Sequence, residues 1–110
     1  MSAQHTPGNW RPGMRGGTVV SDKPLPNYNL NGGHDEVEYY GGHLIAESIW
    51  RAEDARLIAA APDLLEASET ALSYIEAVCF NTPNPKKRKN YADCASILRA
   101  AIAKAKGVQQ

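Results

Sequence analysis

Arg11 and Arg15 stand just ahead of the glycine pair Gly16-Gly17. That combination suits an anion. A guanidinium offers a fork of N–H donors to phosphate, and glycines let backbone N–H groups approach it closely. Aromatic rings able to stack on a nucleobase are interleaved in the same half of the chain, at Trp10, Tyr39, Tyr40 and Trp50. Arg51 and Arg56 follow directly. The candidate ligand-binding set is therefore Trp10, Arg11, Arg15, Gly16, Gly17, Tyr39, Tyr40, Trp50, Arg51 and Arg56. Plainer roles compete with it. The glycine pair serves equally as a turn into a strand. At least two of the aromatics are expected in the core, and Arg56 is expected to pair with Glu53 or Glu47. Neither G-x-x-x-x-G-K-S/T nor G-x-G-x-x-G occurs, so no known phosphate loop is matched.

A second basic group, Lys86-Lys-Arg-Lys89 with Tyr91, has the composition of a weak nucleic-acid patch. At a helix start these cations oppose the macrodipole, so helix stability does not explain them. Solubility or an anionic partner does. Catalysis has little to stand on. His5, His34 and His43 are scattered, with no metal-ligand spacing. Glu36 and Glu38 fall on one face of an expected strand, where a solvated edge is the simpler reading. The expectation is no enzyme, no metal and no cofactor.

The elements that must position these groups follow from pattern. A chain of 110 residues fits one domain, 1–110. Residues 1–17 are rich in Pro and Gly and read as an irregular arm anchored by Trp10. Residues 18–50 read as a small antiparallel sheet of Thr18–Asp22, Val37–Tyr40 and His43–Ile49, with a long loop at 22–35. Gly41-Gly42 suits a two-residue hairpin turn between the last two strands. Residues 51–107 read as helical. A short helix from Ala52 should end before Pro62, which would open the next helix. That helix carries an apolar stripe of Leu64, Leu65, Ser68, Ala71, Leu72, Ile75, Val78 and Cys79, and stops at Asn81–Pro85. A third, about Lys87–Lys106, is ended by Gly107 and folds back as an antiparallel helical hairpin. The fold class is α+β, and a modest core with many small helical residues favours a homo-oligomer.

Net charge is zero but unevenly spread. Residues 51–83 carry two Lys/Arg against six Asp/Glu, a net of −4, and residues 84–110 carry seven against one, a net of +6. Attraction between two antiparallel helices accounts for that most simply. Cys79 and Cys94 lie in no metal or redox motif and are expected as free thiols. No secretory signal is read at the start, and no apolar run approaches a membrane span. The expected location is the cytoplasm.

Four stretches together resemble a known family: His5-Thr-Pro-Gly-Asn-Trp10, Gly16-Gly-Thr-Val-Val20, Tyr39-Tyr-Gly-Gly-His-Leu-Ile-Ala-Glu47 and Asp54-Ala-Arg-Leu-Ile-Ala-Ala-Ala-Pro-Asp-Leu-Leu65. They are similar to small phage and prophage proteins that typically read HTPGPW near the start and NARLIAAAPDLLEAL in the middle. The resemblance covers roughly residues 5–67. The chain departs from it at Asn9, where the pattern has Pro, and at Asp54, where it has Asn. It marks phage origin and carries no activity across residue by residue. Phage origin implies a non-catalytic anti-defence protein in the host bacterial cell. The outline, β-rich then a helical hairpin, is also similar to oligomeric anti-Thoeris sponges. The leading expectation is a binder that sequesters a nucleotide second messenger, of cyclic oligonucleotide or cyclic ADP-ribose type. The alternatives are an anti-CRISPR-like inhibitor or adaptor that binds a host defence protein, and a weak nucleic-acid binder acting through Lys86–Lys89.

Overall fold

In the computed structural model of the protein, residues 5–24 and 33–108 are described, those at 33–36 by their backbone alone. The elements are β1 (Trp10–Pro12), β2 (Val19–Ser21), α1 (Gly33–Tyr40), β3 (His43–Ala46), α2 (Ala52–Asn81) and α3 (Pro85–Lys106). The α+β class is as expected. The chain divides into two compact units, Met1–Pro62 and Asp63–Gln110.

In the first unit β2 lies between β1 and β3, antiparallel to both. Arg11 stands opposite Val20, which stands opposite Leu44, and the β2–β3 register shifts between Val19 and Val20. Neighbours along a strand point to opposite faces, yet Val19 and Val20 are both fully buried. Val19 packs against Ala55 and Ala59 at the start of α2, with Trp10, Ile45, Ile49 and Ile58 around them. Val20 packs where Gly13 and Gly42 leave room: a Cβ on Gly42 would meet the Val20 side chain at 2.8 Å. Full burial of each valine contributes about 1.5–3 kcal/mol. The flanking hydroxyls of Thr18 and Ser21 are also buried, and donate to the carbonyls of Arg15 and Pro7.

Several expectations are corrected. Val37–Tyr40 is the end of helix α1 and not a strand. Four alternating residues are too few to separate the two periods. The observed exposure, with Val37 and Tyr40 half-buried and Glu38 and Tyr39 exposed, follows the helical i, i+3 rhythm. Gly41-Gly42 consequently ends a helix and makes no hairpin. Gly41, at φ +79°, and Gly42 both donate to the Val37 carbonyl, at 2.9 and 3.0 Å, as left-handed helix caps do. The third strand is instead β1, inside the arm read as irregular. As an edge strand it tolerates Pro12. β3 ends at Ala46, short of Ile49. The long loop expected at 22–35 falls mostly on 25–32, outside the described residues.

Pro62 does not start a helix; it sits inside α2. It has no N–H for the Ile58 carbonyl, a loss of about 3 kcal/mol relative to alanine. The helix continues because Ala59-Ala60-Ala61 before it and Leu64-Leu65-Glu66-Ala67 after it are strong helix formers.

In the second unit α2 and α3 form the expected antiparallel hairpin. Glu76 pairs with Arg99 at 2.8 Å and Glu69 with Lys106 at 2.5 Å, so partner positions run in opposite directions. Ala95, 3% exposed, lies in the seam. α3 starts two residues earlier than expected because Asn84 caps it. The Asn84 side-chain oxygen accepts from the N–H groups of Lys86 and Lys87, with Pro85 in the first turn. Gly107, at φ +73°, ends the helix as expected. Both cysteines are free thiols.

Two stability outcomes follow. Gly17 has φ +74°, and a Cβ there would meet the Ile49 carbonyl oxygen at 2.6 Å, whereas one on Gly16 would meet nothing within 4 Å. Gly17→Ala should cost about 1–3 kcal/mol in thermal or urea unfolding, while Gly16→Ala should be near neutral; equal effects would contradict this geometry. Pro62→Ala should stabilise the protein by up to about 3 kcal/mol in urea titration, with unchanged helical circular dichroism.

Candidate binding surface

Arg11 and Arg15 do converge, but on the backbone at the end of α1. Arg11 Nη2 donates to the Gly41 carbonyl at 2.8 Å and Arg15 Nε to the Tyr39 carbonyl at 3.2 Å. Between them the Met14 N–H donates to the Tyr40 carbonyl at 2.8 Å. The last carbonyls of a helix have no partner within it and carry negative partial charge. α1 has no basic residue in its own last turn. Residues 11–15 supply the missing donors and the positive charge.

The same contact shapes the aromatic groups. The Arg15 guanidinium lies 4.2 Å from the centre of the Tyr39 ring, within the range of a cation–π contact. Tyr39 meets Tyr40 edge to face, with centroids 4.9 Å apart. The Tyr40 hydroxyl donates to Glu47 Oε2 at 2.7 Å. Tyr40 is half-buried, while Tyr39 is 53% exposed. Arg11 and Arg15 are exposed, and each guanidinium uses only one or two of its five N–H donors in these contacts.

Trp10 takes the core role. It packs against the buried cluster, donates from Nε1 to the Thr6 carbonyl at 3.0 Å, and meets His5 edge to face. Gly17 is a turn residue, whose carbonyl accepts from the Ile49 N–H at 2.9 Å. Gly16 lies open beside it. Trp50 is 96% exposed, one residue beyond Ile49. The turn at 15–17 therefore touches Tyr39 through Arg15 and reaches the neighbour of Trp50 through Gly17. Arg56 has no acid partner among the described residues, contrary to the expected pairing. Glu53 is held by Arg51 at 3.4 Å, and Glu47 by Tyr40.

Met14, beside Gly41, and Leu57, on α2, are both exposed by more than half and were not among the expected site residues. Leu57 carried a signal, since it lies off the Ala55, Ile58 and Ala59 face that packs the core. The set that is brought together and exposed is thus Met14, Arg15, Gly16 and Tyr39. Trp50, Arg51, Arg56 and Leu57 follow within eight residues at the start of α2. Lys86–Lys89 lies apart from all of these in sequence and belongs to the second unit. There Arg88 donates twice to the Thr82 carbonyl, at 3.0 and 2.7 Å, and Lys89 pairs with Asp93 at 2.8 Å. Lys86 and Lys87 have no acid partner among the described residues. The described residues contain no group of three or more His, Cys, Asp and Glu placed to hold a metal ion.

A three-stranded sheet, an arginine-capped short helix and a helical hairpin define a small α+β protein whose exposed chemistry is aromatic and cationic. The chain belongs to the family of Salmonella phage P22 protein Y8K6, whose family model matches residues 1–109. The phage resemblance read at 5–67 is thereby borne out and extended, since the helical hairpin belongs to the family as well. No curated protein and no solved structure matches the chain. No helix among the described residues is long and apolar enough to cross a membrane.

Because the carbonyls capped by Arg11 and Arg15 lie at the surface, water can replace a lost guanidinium. Arg11→Ala and Arg15→Ala should each cost about 0.5–1.5 kcal/mol in urea unfolding. Only Arg15→Ala should also alter the tyrosine near-ultraviolet circular dichroism, by freeing the Tyr39 ring.

Proposed function

We propose that this is a non-catalytic, cytoplasmic phage protein that acts against host defence by binding a host protein through the surface of Tyr39, Arg15, Trp50 and Arg56. The observation that carries the reading is Trp50, a large apolar ring left 96% exposed. Nothing in folding rewards that exposure, whereas protein interfaces concentrate their energy in Trp, Tyr and Arg. Other exposed groups of the first unit fit: Arg15 stacked on Tyr39 holds an aromatic face still, and Met14 and Leu57 add apolar area. Membership of a phage family supplies the anti-defence context.

A second reading, sequestration of a nucleotide second messenger, is favoured by one specific feature. Arg15 over Tyr39 presents an exposed ring for a base beside guanidinium donors for phosphate. It ranks second because Arg11 and Arg15 already spend part of their charge on α1 carbonyls, and because Trp10 and Tyr40 are engaged in the fold.

The two readings separate in one experiment. Tagged wild-type protein should recover a single stoichiometric host protein from lysate, and Trp50→Ala should lose at least ten-fold of it while keeping wild-type stability. Calorimetry against cyclic di- and trinucleotides and cyclic ADP-ribose isomers should give no heat. Micromolar nucleotide binding that Arg15→Ala removes, with no host protein recovered, would reverse the order of the two readings.

A further inference from the structure

The hairpin of the second unit leaves an apolar seam uncovered. On α2, Leu64, Ala67, Ala71, Tyr74 and Val78 follow one another at steps of three, four, three and four. That is the 3.5-residue period of a helix made to pack on another helix. Leu64 is 52% and Tyr74 72% exposed. On α3, Ile97 and Ala101 stand four apart, and Ile97 is 72% exposed.

These two rows lie on one side of the hairpin. Leu64, Ala71 and Val78 each precede by one residue the half-buried Leu65, Leu72 and Cys79. Ile97 and Ala101 precede the half-buried Leu98 and Ile102 in the same way. One residue is a rotation of about 100°, and in an antiparallel pair that rotation leads to the same side from both helices. The ion pairs Glu69–Lys106 and Glu76–Arg99 follow the packed positions instead and close the opposite side.

Charge identifies the occupant. Asp63 and Glu66 have no cationic partner among the described residues, and neither Lys86 nor Lys87 has an acidic one. The register set by Glu69–Lys106 and Glu76–Arg99 puts the acids at the open end of the hairpin and the lysines at its turn. We infer that a second copy of this chain covers the seam, its hairpin antiparallel to the first about a two-fold axis crossing α2 near Tyr74. That axis sets each acidic end against the partner's basic end, twice over. An axis along the helices would instead set basic turn against basic turn. The result is a four-helix bundle, closed and isologous.

Light scattering and sedimentation of the full chain test this. The wild type should be a dimer. Tyr74→Glu with Ile97→Glu should be a monomer at concentrations where the wild type is dimeric, with helical circular dichroism retained, since both side chains point to solvent in one copy. Lys86→Glu with Lys87→Glu should weaken the dimer at least ten-fold at low salt, and adding Asp63→Lys with Glu66→Lys should restore it. A monomeric wild type, or a dimer untouched by Tyr74→Glu with Ile97→Glu, overturns the inference. Charge reversals without effect overturn the antiparallel arrangement.

Discussion

The carbonyl groups at the ends of helices are the constraint on which this structure turns. A helix leaves its last carbonyls without internal donors, and here α1 and α2 have no cation of their own in the last turn. α1 borrows one: Arg11 of β1 and Arg15 of the following turn reach its end from more than twenty residues earlier. α2 ends on local donors, with Asn81 and Thr82 side chains donating to the Ala77 and Val78 carbonyls, and Arg88 of α3 donating to the Thr82 carbonyl just past it. α3 ends on Lys104, Lys106 and the Gly107 cap. Each such bond adds only about 0.5–1.5 kcal/mol net. Their larger effect is directional. α1 has eight residues, well below the roughly 12–15 at which an isolated helix is even marginal in water. It exists because residues 11–15 and β3 hold it.

That constraint also sorts the candidate residues. A guanidinium bound to a carbonyl is a structural cation first, and its attraction for a distant phosphate is partly neutralised. Arg15 escapes a purely structural role because its plane also faces an exposed ring. Arg56 and Trp50 differ in kind: no described contact engages the Arg56 charge, and Trp50 exposes almost all of its surface. Residues that contribute to binding and not to folding are expected to look like this, since an aromatic ring in water adds nothing to the folded state.

What was legible in the sequence was local. Gly107 marks a helix end through bonds to residues three and four positions away, whereas the equally local Asn84-Pro85 start of α3 was read two residues late. Thr18–Ser21 declares itself by β-branched side chains that suit a buried central strand. What was illegible depended on distant partners. Val37–Tyr40 alternates like a strand, and becomes helix because Arg11, Met14 and Arg15 satisfy its end. The rule against proline in a helix interior is sound, yet at Pro62 three strong helix formers before it and four after it outweigh it. Among the aromatics, the core role of Trp10 was decided by the pairing of β1 with β2, and β1 is three residues of a segment rich in Pro and Gly. The exposed seam at 64–78 was hidden for the opposite reason. Its apolar period merges with the adjacent row that packs on α3, and the two read as one broad stripe.

The two exposed apolar regions obey different rules, and the difference bears on how the protein works. Leu64–Val78 keeps a strict helical period, so its complement is another helix of matching period. Trp50, Leu57, Met14 and Tyr39 keep no period at all. Their complement is a surface of a particular shape, which a copy of this chain has no reason to supply. The self-association inferred for the hairpin would bring two copies of the aromatic surface into one assembly. A target that is itself symmetric or repeated would then be held at two points, and effective concentration would raise avidity by orders of magnitude without a new contact. For a chain with a core this small, the inferred dimer would give both a larger buried interior and a second grip.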